Sequence, residues 1–293
     1  MNDREDLSVS ERPLTFPKQR LWIHVVLFIA TIFTTLMAGA AQQGVNPFSQ
    51  PRGWILGIPF SFTLMTILLT HEMGHYLTSR WHGVAATLPY FIPSPSPFIG
   101  TFGAFIRMTS PIMHKQALLD IGASGPIAGF ILSIAAVAVG LPYSEVIETD
   151  EDFAGIGLGA PLVFSVLSDL IIGPVEEGYD VLLHPVAFAG WIGLFVTALN
   201  LIPIGQLDGG HVAYAVFGHR HRTLSLLMIP ILLVLGSLYW PGWYVWAVLP
   251  LVFGINHPPT MDVSIPLDPY RKLIGWLSLI VFVLCFTPSP FIV

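Results

Sequence analysis

The chain has 293 residues, of which 54% are hydrophobic and only 10% charged, with a formal net charge of −6 and a mean hydropathy of +0.72. Soluble domains carry about a quarter charged residues, so this composition excludes an ordinary water-soluble protein and points to a polytopic protein of the lipid bilayer. The charge is an uneven sum along the chain and not an acidic surface for a basic partner; no nucleic-acid partner is expected, and a lone Cys285 excludes an internal disulfide or a cysteine-rich metal site.

In chain order, residues 1–20 are polar and mixed in charge, with no apolar core before Leu21. Neither a cleavable signal peptide nor a transit peptide is expected there, but a cytoplasmic tail is. Leu21–Ala41 carries no formal charge and is long enough to cross a bilayer. A second span, about Gly53–Ser79, has Glu72 as its only charge, inside the run His71-Glu72-Met73-Gly74-His75. Behind Pro93, Pro95 and Pro97, Phe98–Met108 alternates small and bulky residues, which predicts a short re-entrant strand. A third span, about Gln116–Leu141, is interrupted by Asp120; its Gly122, Gly125 and Gly129 would let it lie close to the helix before it. Pro142–Leu183 follows as an acidic loop, and His184–Ile202 as the fourth span.

Pro203 and the glycines around it break that helix just before Asp208-Gly209-Gly210. Thr223–Trp240, a shorter Trp243–Asn256 and Leu273–Thr287 complete the set, with Pro230 and Pro250 as kinks. The expectation is an all-α polytopic membrane protein of about six to seven transmembrane helices with a small re-entrant β element. It divides into the tail 1–20, a first helix and loop 21–52, a core 53–218 that includes the acidic loop 142–183, and C-terminal helices 219–293.

Lys and Arg set the orientation. Lys18, Arg20, Arg80, Arg107, Lys115, Arg220, Arg222, Arg271 and Lys272 fall on one side if each span crosses once, with Arg52 the exception. Pro142–Leu183, with nine acidic residues and no Lys or Arg, falls on the other. The N-terminus is therefore expected in the cytoplasm, in a bacterial-type plasma membrane.

The run at His71 has the HExxH arrangement: i and i+4 share a helix face, so both imidazoles can reach one zinc ion, and Glu72 can take a proton from water on the metal. A carboxylate in the bilayer costs roughly 2.5–3.5 kcal/mol. A cation shared by His71, His75 and Asp208 would offset that cost. Three protein ligands leave one tetrahedral position for water, the pattern of a catalytic zinc, one per chain.

His71–His75 together with Asn200-Leu201-Ile202-Pro203-Ile204-Gly205-Gln206-Leu207-Asp208-Gly209 resembles the paired signature of the site-2 proteases, intramembrane zinc metalloproteases of the peptidase M50 type. Leu88–Pro93, Gly100–Ile106 and Ala117–Gly129 are similar to the branch with chloroplast and cyanobacterial members, and the likeness covers about residues 60–215. It implies His71, His75 and Asp208 as zinc ligands, Glu72 as general base, and transmembrane proteins as substrates of regulated cleavage. No inserted segment resembles a PDZ domain.

A helical substrate must unwind before its carbonyls can react, so the predicted strand, with Gly103 and Phe105, is a candidate clamp for an extended substrate. Asn200 reads either as a helix-end cap or as a group facing the scissile carbonyl. Pro203, Gly209 and Gly125 are read as structural supports near the site, and Asp120 as a structural pairing residue. His211 is either a neighbour of the site or an interfacial histidine; His24 and His184 are read as interfacial, and His219, His221 and His257 as solvated. Two rival readings remain. One is a CAAX-type membrane zinc protease using Glu176 from Glu176-x-x-x-Asp180, although Gly178 interrupts that motif. The other is a non-catalytic metal transporter or chaperone, against which stand one compact cluster and no internal repeat.

Overall fold

A backbone in lipid must satisfy its own hydrogen bonds, and the apolar runs accordingly close into helices. The computed structural model describes residues 19–149, 156–262 and 264–292; the predicted tail before Gln19, and Asp150, Glu151 and Asp152 of the acidic segment, lie outside them. In order, the chain forms α1 (Leu21–Gln42), a short α2 (Gly53–Leu56), α3 (Ile58–Trp81), β1 (Tyr90–Pro93), β2 (Thr101–Phe105) and α4 (Lys115–Gly140). Next come β3 (Glu145–Glu148), β4 (Gly157–Leu158), α5 (Leu162–Ile171), β5 (Tyr179–Leu182), α6 (Pro185–Asn200) and α7 (Asp208–Phe217). The last elements are α8 (His221–Leu238), α9 (Trp243–Phe253), α10 (Pro269–Cys285) and β6 (Phe291–Ile292).

The core is α3, α4 and α6, with α4 in the middle and α7 against its N-terminal part. Leu64, Leu68, Val137, Trp191 and Leu194 are fully buried between these helices. Small residues on α4 carry the close contacts, as expected where lipid gives no hydrophobic drive between helices. Among the described residues, three helical runs are long and apolar enough to cross a membrane: Leu21–Gln42, Lys115–Tyr143 and Asp208–Leu238. The last is interrupted at Gly218, where φ is +59°, so α8 supplies its long segment. Pro230 and Pro250 lie inside α8 and α9, where the sequence places them.

The small β element is a hairpin and not a lone strand. β1 and β2 pair antiparallel with Tyr90 opposite Phe105 and Phe91 opposite Ala104. The extended pairing continues to Met108, which bridges Ala86. The hairpin lies along α1: Pro89 O is 3.1 Å from His24 Nδ1, while Thr34 and Gln42 side chains donate to Gly100 O and Phe98 O at 2.6 and 2.9 Å. His24 to Gln42 spans roughly 27 Å of helix at 1.5 Å per residue, so the hairpin runs the depth of α1. His24, read from sequence as interfacial, is buried by this contact.

The acidic segment is also more ordered than a loop. β3 and β5 pair from Glu145–Leu182 to Glu148–Tyr179, α5 follows β4, and β4 pairs with β6. The sequence gives no alternation strong enough to show these short strands.

Candidate metal centre

Helical spacing on α3 stacks His71 and His75 on one face, with ring centroids 4.9 Å apart. Their Nε2 atoms lie 3.1 Å from each other and 3.3 and 3.2 Å from Asp208 Oδ2. Both imidazoles and Glu72 are buried. The three ligand atoms fall within 4.8 Å of one another, a set that could hold a metal ion.

Donor chemistry supports that fit. A carbonyl only accepts, so His75 Nδ1, 2.6 Å from Ile121 O, carries the proton and leaves a lone pair on Nε2. That lone pair faces a carboxylate and a second imidazole nitrogen. Convergent acceptors of this kind call for a shared cation, and the carbonyl behind His75 fixes its ring as second partners of metal-binding histidines do. Two nitrogens and one carboxylate oxygen suit zinc.

Asp208 is delivered by a broken backbone. α6 ends at Asn200, a tight turn brings Ile204 N to within 2.7 Å of Ile202 O, and α7 starts at Asp208 itself. Ser225 of α8 fastens this turn, donating to Pro203 O and accepting from Gly205 N, both at 3.4 Å. Gly209 lies against the Leu201 carbonyl, where a side chain would collide. Gly125 of α4 is tighter still, since a Cβ there would overlap the His75 imidazole.

A cleft of about 420 Å³ opens onto these groups, lined by α3, the extended strand beyond Ala104, Asn200, the Gln206–Asp208 turn and His211. Arg107 pairs with Thr87 through both its backbone groups, donating to Thr87 Oγ1 and accepting from Thr87 N. Backbone alternation therefore turns the Ile106 backbone towards the cleft that Glu72 also lines. Phe105 lines the cleft and stacks on Tyr90 at 5.4 Å. Gly103 does not line it; with φ +99° it sits at a bend that few other residues adopt. Asn200 lines the cleft with its amide nitrogen 3.2 Å from His71 Nε2.

Other predicted residues fall elsewhere. Glu176 is exposed in the turn before β5, and β5 leads into the start of α6, whereas the metal group lies at the other end of that helix. The two ends of α6 are roughly 24 Å apart at 1.5 Å per residue. Asp120 is paired, as read, but its partners are Arg271 at 2.7 Å and His82 at 2.8 Å, a link from α4 to α10 and to the end of α3. His221 is buried and bonds Ser225 at 3.2 Å, and His257 packs on Tyr214 and His211, so the solvated reading of both is corrected. Their proximity to the site comes from tertiary packing across loops, for which the sequence carries no spacing signal.

A family model described as Peptidase family M50 matches residues 59–237. The chain is 31% identical to "Probable zinc metalloprotease EGY2, chloroplastic" of Arabidopsis thaliana, over 80% of this chain and 42% of that protein. It is 31% identical to the EGY2 protein of Oryza sativa subsp. indica, over 92% of this chain and 50% of that one. It is 30% identical to "Probable zinc metalloprotease EGY1, chloroplastic" of Arabidopsis thaliana, over 92% and 54%. The chain thus spans about half the length of the curated relatives it matches. No solved structure matches it. Because the match takes in α3, with its two histidines, and α7, with Asp208, in one continuous region covering more than half of the sequence, this chain belongs to peptidase family M50.

Proposed function

We propose that the chain is an intramembrane zinc endopeptidase that cleaves peptide bonds in or near transmembrane segments of membrane proteins. The observation that carries this reading is the convergence of His71, His75 and Asp208 beside Glu72, in a cleft bordered by an unpaired strand edge. His71, His75 and Asp208 would hold one zinc ion. Bound there, zinc supplies a Lewis acid for the scissile carbonyl and makes water nucleophilic near neutral pH.

The protein's own groups do the rest. Glu72 takes the proton from the attacking water and delivers it to the leaving nitrogen as the C–N bond breaks, giving an amine and a carboxylate. Asn200, whose amide lines the cleft next to His71, donates to the carbonyl oxygen as negative charge builds there. The Ala104–Met108 edge pairs with an unwound substrate and holds it extended, Phe105 forming part of the wall. Pro203, Gly209 and Gly125 act through shape: Pro203 lies in the turn before Asp208, Gly209 lets α7 start against the Leu201 carbonyl, and Gly125 makes room for His75.

We further propose that α3, α6 and the C-terminal helices also cross the bilayer, for about six to seven spans, with the core at 53–218. The Lys and Arg distribution supports a cytoplasmic N-terminus. The membrane proposed is a bacterial plasma membrane, and fractionation of the native cell tests that against the chloroplast named for the plant relatives. The decisive test of activity is Glu72→Gln in the full chain with a transmembrane reporter substrate. Cleavage should fall by several orders of magnitude while zinc is retained; undiminished cleavage would exclude the mechanism.

A further inference from the structure

On α7, one turn after Asp208, His211 is buried yet lines the cleft, and a second histidine fixes its proton. His257, in the segment between α9 and α10, has Nδ1 2.6 Å from Pro258 O, and its Nε2 is 2.7 Å from His211 Nδ1. The Pro258 carbonyl can only accept, so His257 Nδ1 bears a proton. Burial pushes the His257 imidazole below its ordinary range, which keeps the ring neutral at pH 7 and leaves its Nε2 as an acceptor. His211 must then donate from Nδ1. A neutral His211 therefore carries its lone pair on Nε2, and that atom bonds no group among the described residues. Tyr214 stacks on His257 at 4.5 Å and holds the donor chain in place.

A strand paired along one edge still has a second edge of backbone N–H groups. Inside a cleft shielded from water each needs an acceptor. In the protease reading, the Ala104–Met108 edge takes one side of an extended substrate. Facing the remaining space are the metal group, Glu72, Asn200, Gln206 and His211. Glu72 handles the reacting proton and Asn200 is a donor to the carbonyl, whereas His211 presents a nitrogen lone pair whose direction is set by a second ring. We infer that His211, set by His257 in the tautomer with a bare Nε2, accepts a hydrogen bond from a backbone N–H of the extended substrate. His211 is thus a substrate-binding residue, and His257 a positioning residue that acts through it. The inference rests on the protease reading above.

The test uses the zinc-loaded full chain in detergent, labelled with 15N-histidine, and a transmembrane reporter substrate. The 15N spectrum should show His211 protonated at Nδ1 and bare at Nε2, with that preference lost in His257→Phe. A His211 protonated at Nε2, or one with the shift of a metal-bound nitrogen, would overturn the inference whatever the activity. In cleavage, His211→Phe should lower kcat/KM at least tenfold, mostly through KM, with zinc content unchanged. His211→Gln, whose carbonyl can accept, should recover most of the loss. Wild-type kcat/KM in His211→Phe would also overturn it. Equal cleavage by wild type and Glu72→Gln would instead remove the protease reading, while the tautomer measurement continues to decide the hydrogen-bond chain.

Discussion

Gly125→Ala isolates the packing that places a metal ligand. Position 125 is helical, so alanine should by itself favour the helix by about 0.5–1 kcal/mol. The added methyl, however, would occupy the space of the His75 imidazole. To restore carbon contacts of about 3.5 Å the ring must retreat by roughly 1 Å. Metal–ligand distances tolerate only about 0.2 Å, so the displacement exceeds what a zinc site accepts. The retreat also strains the bond from His75 Nδ1 to Ile121 O, 2.6 Å long here. Overpacking of this kind costs about 1–3 kcal/mol, equivalent to roughly 5- to 150-fold in zinc affinity if the site bears it. Gly129→Ala is the graded control: its methyl would stand 3.1 Å from His71 Nδ1, which a shift of a few tenths of an ångström relieves. Competitive zinc titration of the purified full chain should rank wild type above Gly129→Ala and Gly129→Ala above Gly125→Ala, with cleavage following the same order. Gly125→Ala with wild-type zinc affinity and turnover would refute this account of the α3–α4 contact.

Three further outcomes are expected. Ile106→Pro removes an N–H from the strand edge that lines the cleft without touching the Thr87 pairing; it should cut cleavage at least a hundredfold at full zinc occupancy, and a mild effect would argue against substrate pairing along this strand. Asp120→Ala removes the bidentate partner of Arg271, whose side chain is 23% exposed, and leaves it Asp268 at 2.6 Å. That loss should cost about 1.5–2 kcal/mol and lower the thermal midpoint in detergent by roughly 3–6 °C, whereas an unchanged midpoint would show that the link contributes little. Ser225→Ala removes two bonds to the turn before Asp208 and should weaken zinc binding by about 5-fold, on the order of 1 kcal/mol, with Glu176→Ala as a control expected to leave zinc unchanged.

Much of the site was legible because its chemistry is local. His71, Glu72 and His75 sit within one helical turn, and a charge in an otherwise apolar span marks itself by its cost. Asp208 alone reads as turn chemistry in Asp208-Gly209-Gly210, and only the resemblance of the Asn200–Gly209 run to the family signature singled it out as a ligand. The glycines of α4 announced a close helix contact, and Gly125 and Gly129 meet the two histidines. What stayed hidden depends on contacts between distant segments. His257 reaches His211 from a loop after α9, and Arg271 meets Asp120 across about half of the chain; neither pairing has a sequence period. The strand beyond Gly100 was legible from its alternation, but its partner Tyr90–Pro93 was not, because two prolines disguise a four-residue strand. The acidic segment was read by charge alone, which gives sidedness but not the β3–β5 pairing or α5.

The central claim is best tested by X-ray absorption at the zinc edge on the purified full chain. One zinc per chain is expected, with two imidazole nitrogens and oxygen ligands near 2.0 Å, and the signal should be lost on Asp208→Ala but kept on Glu72→Gln. Zinc coordinated without histidine, or a wild-type spectrum surviving in Asp208→Ala, would contradict it.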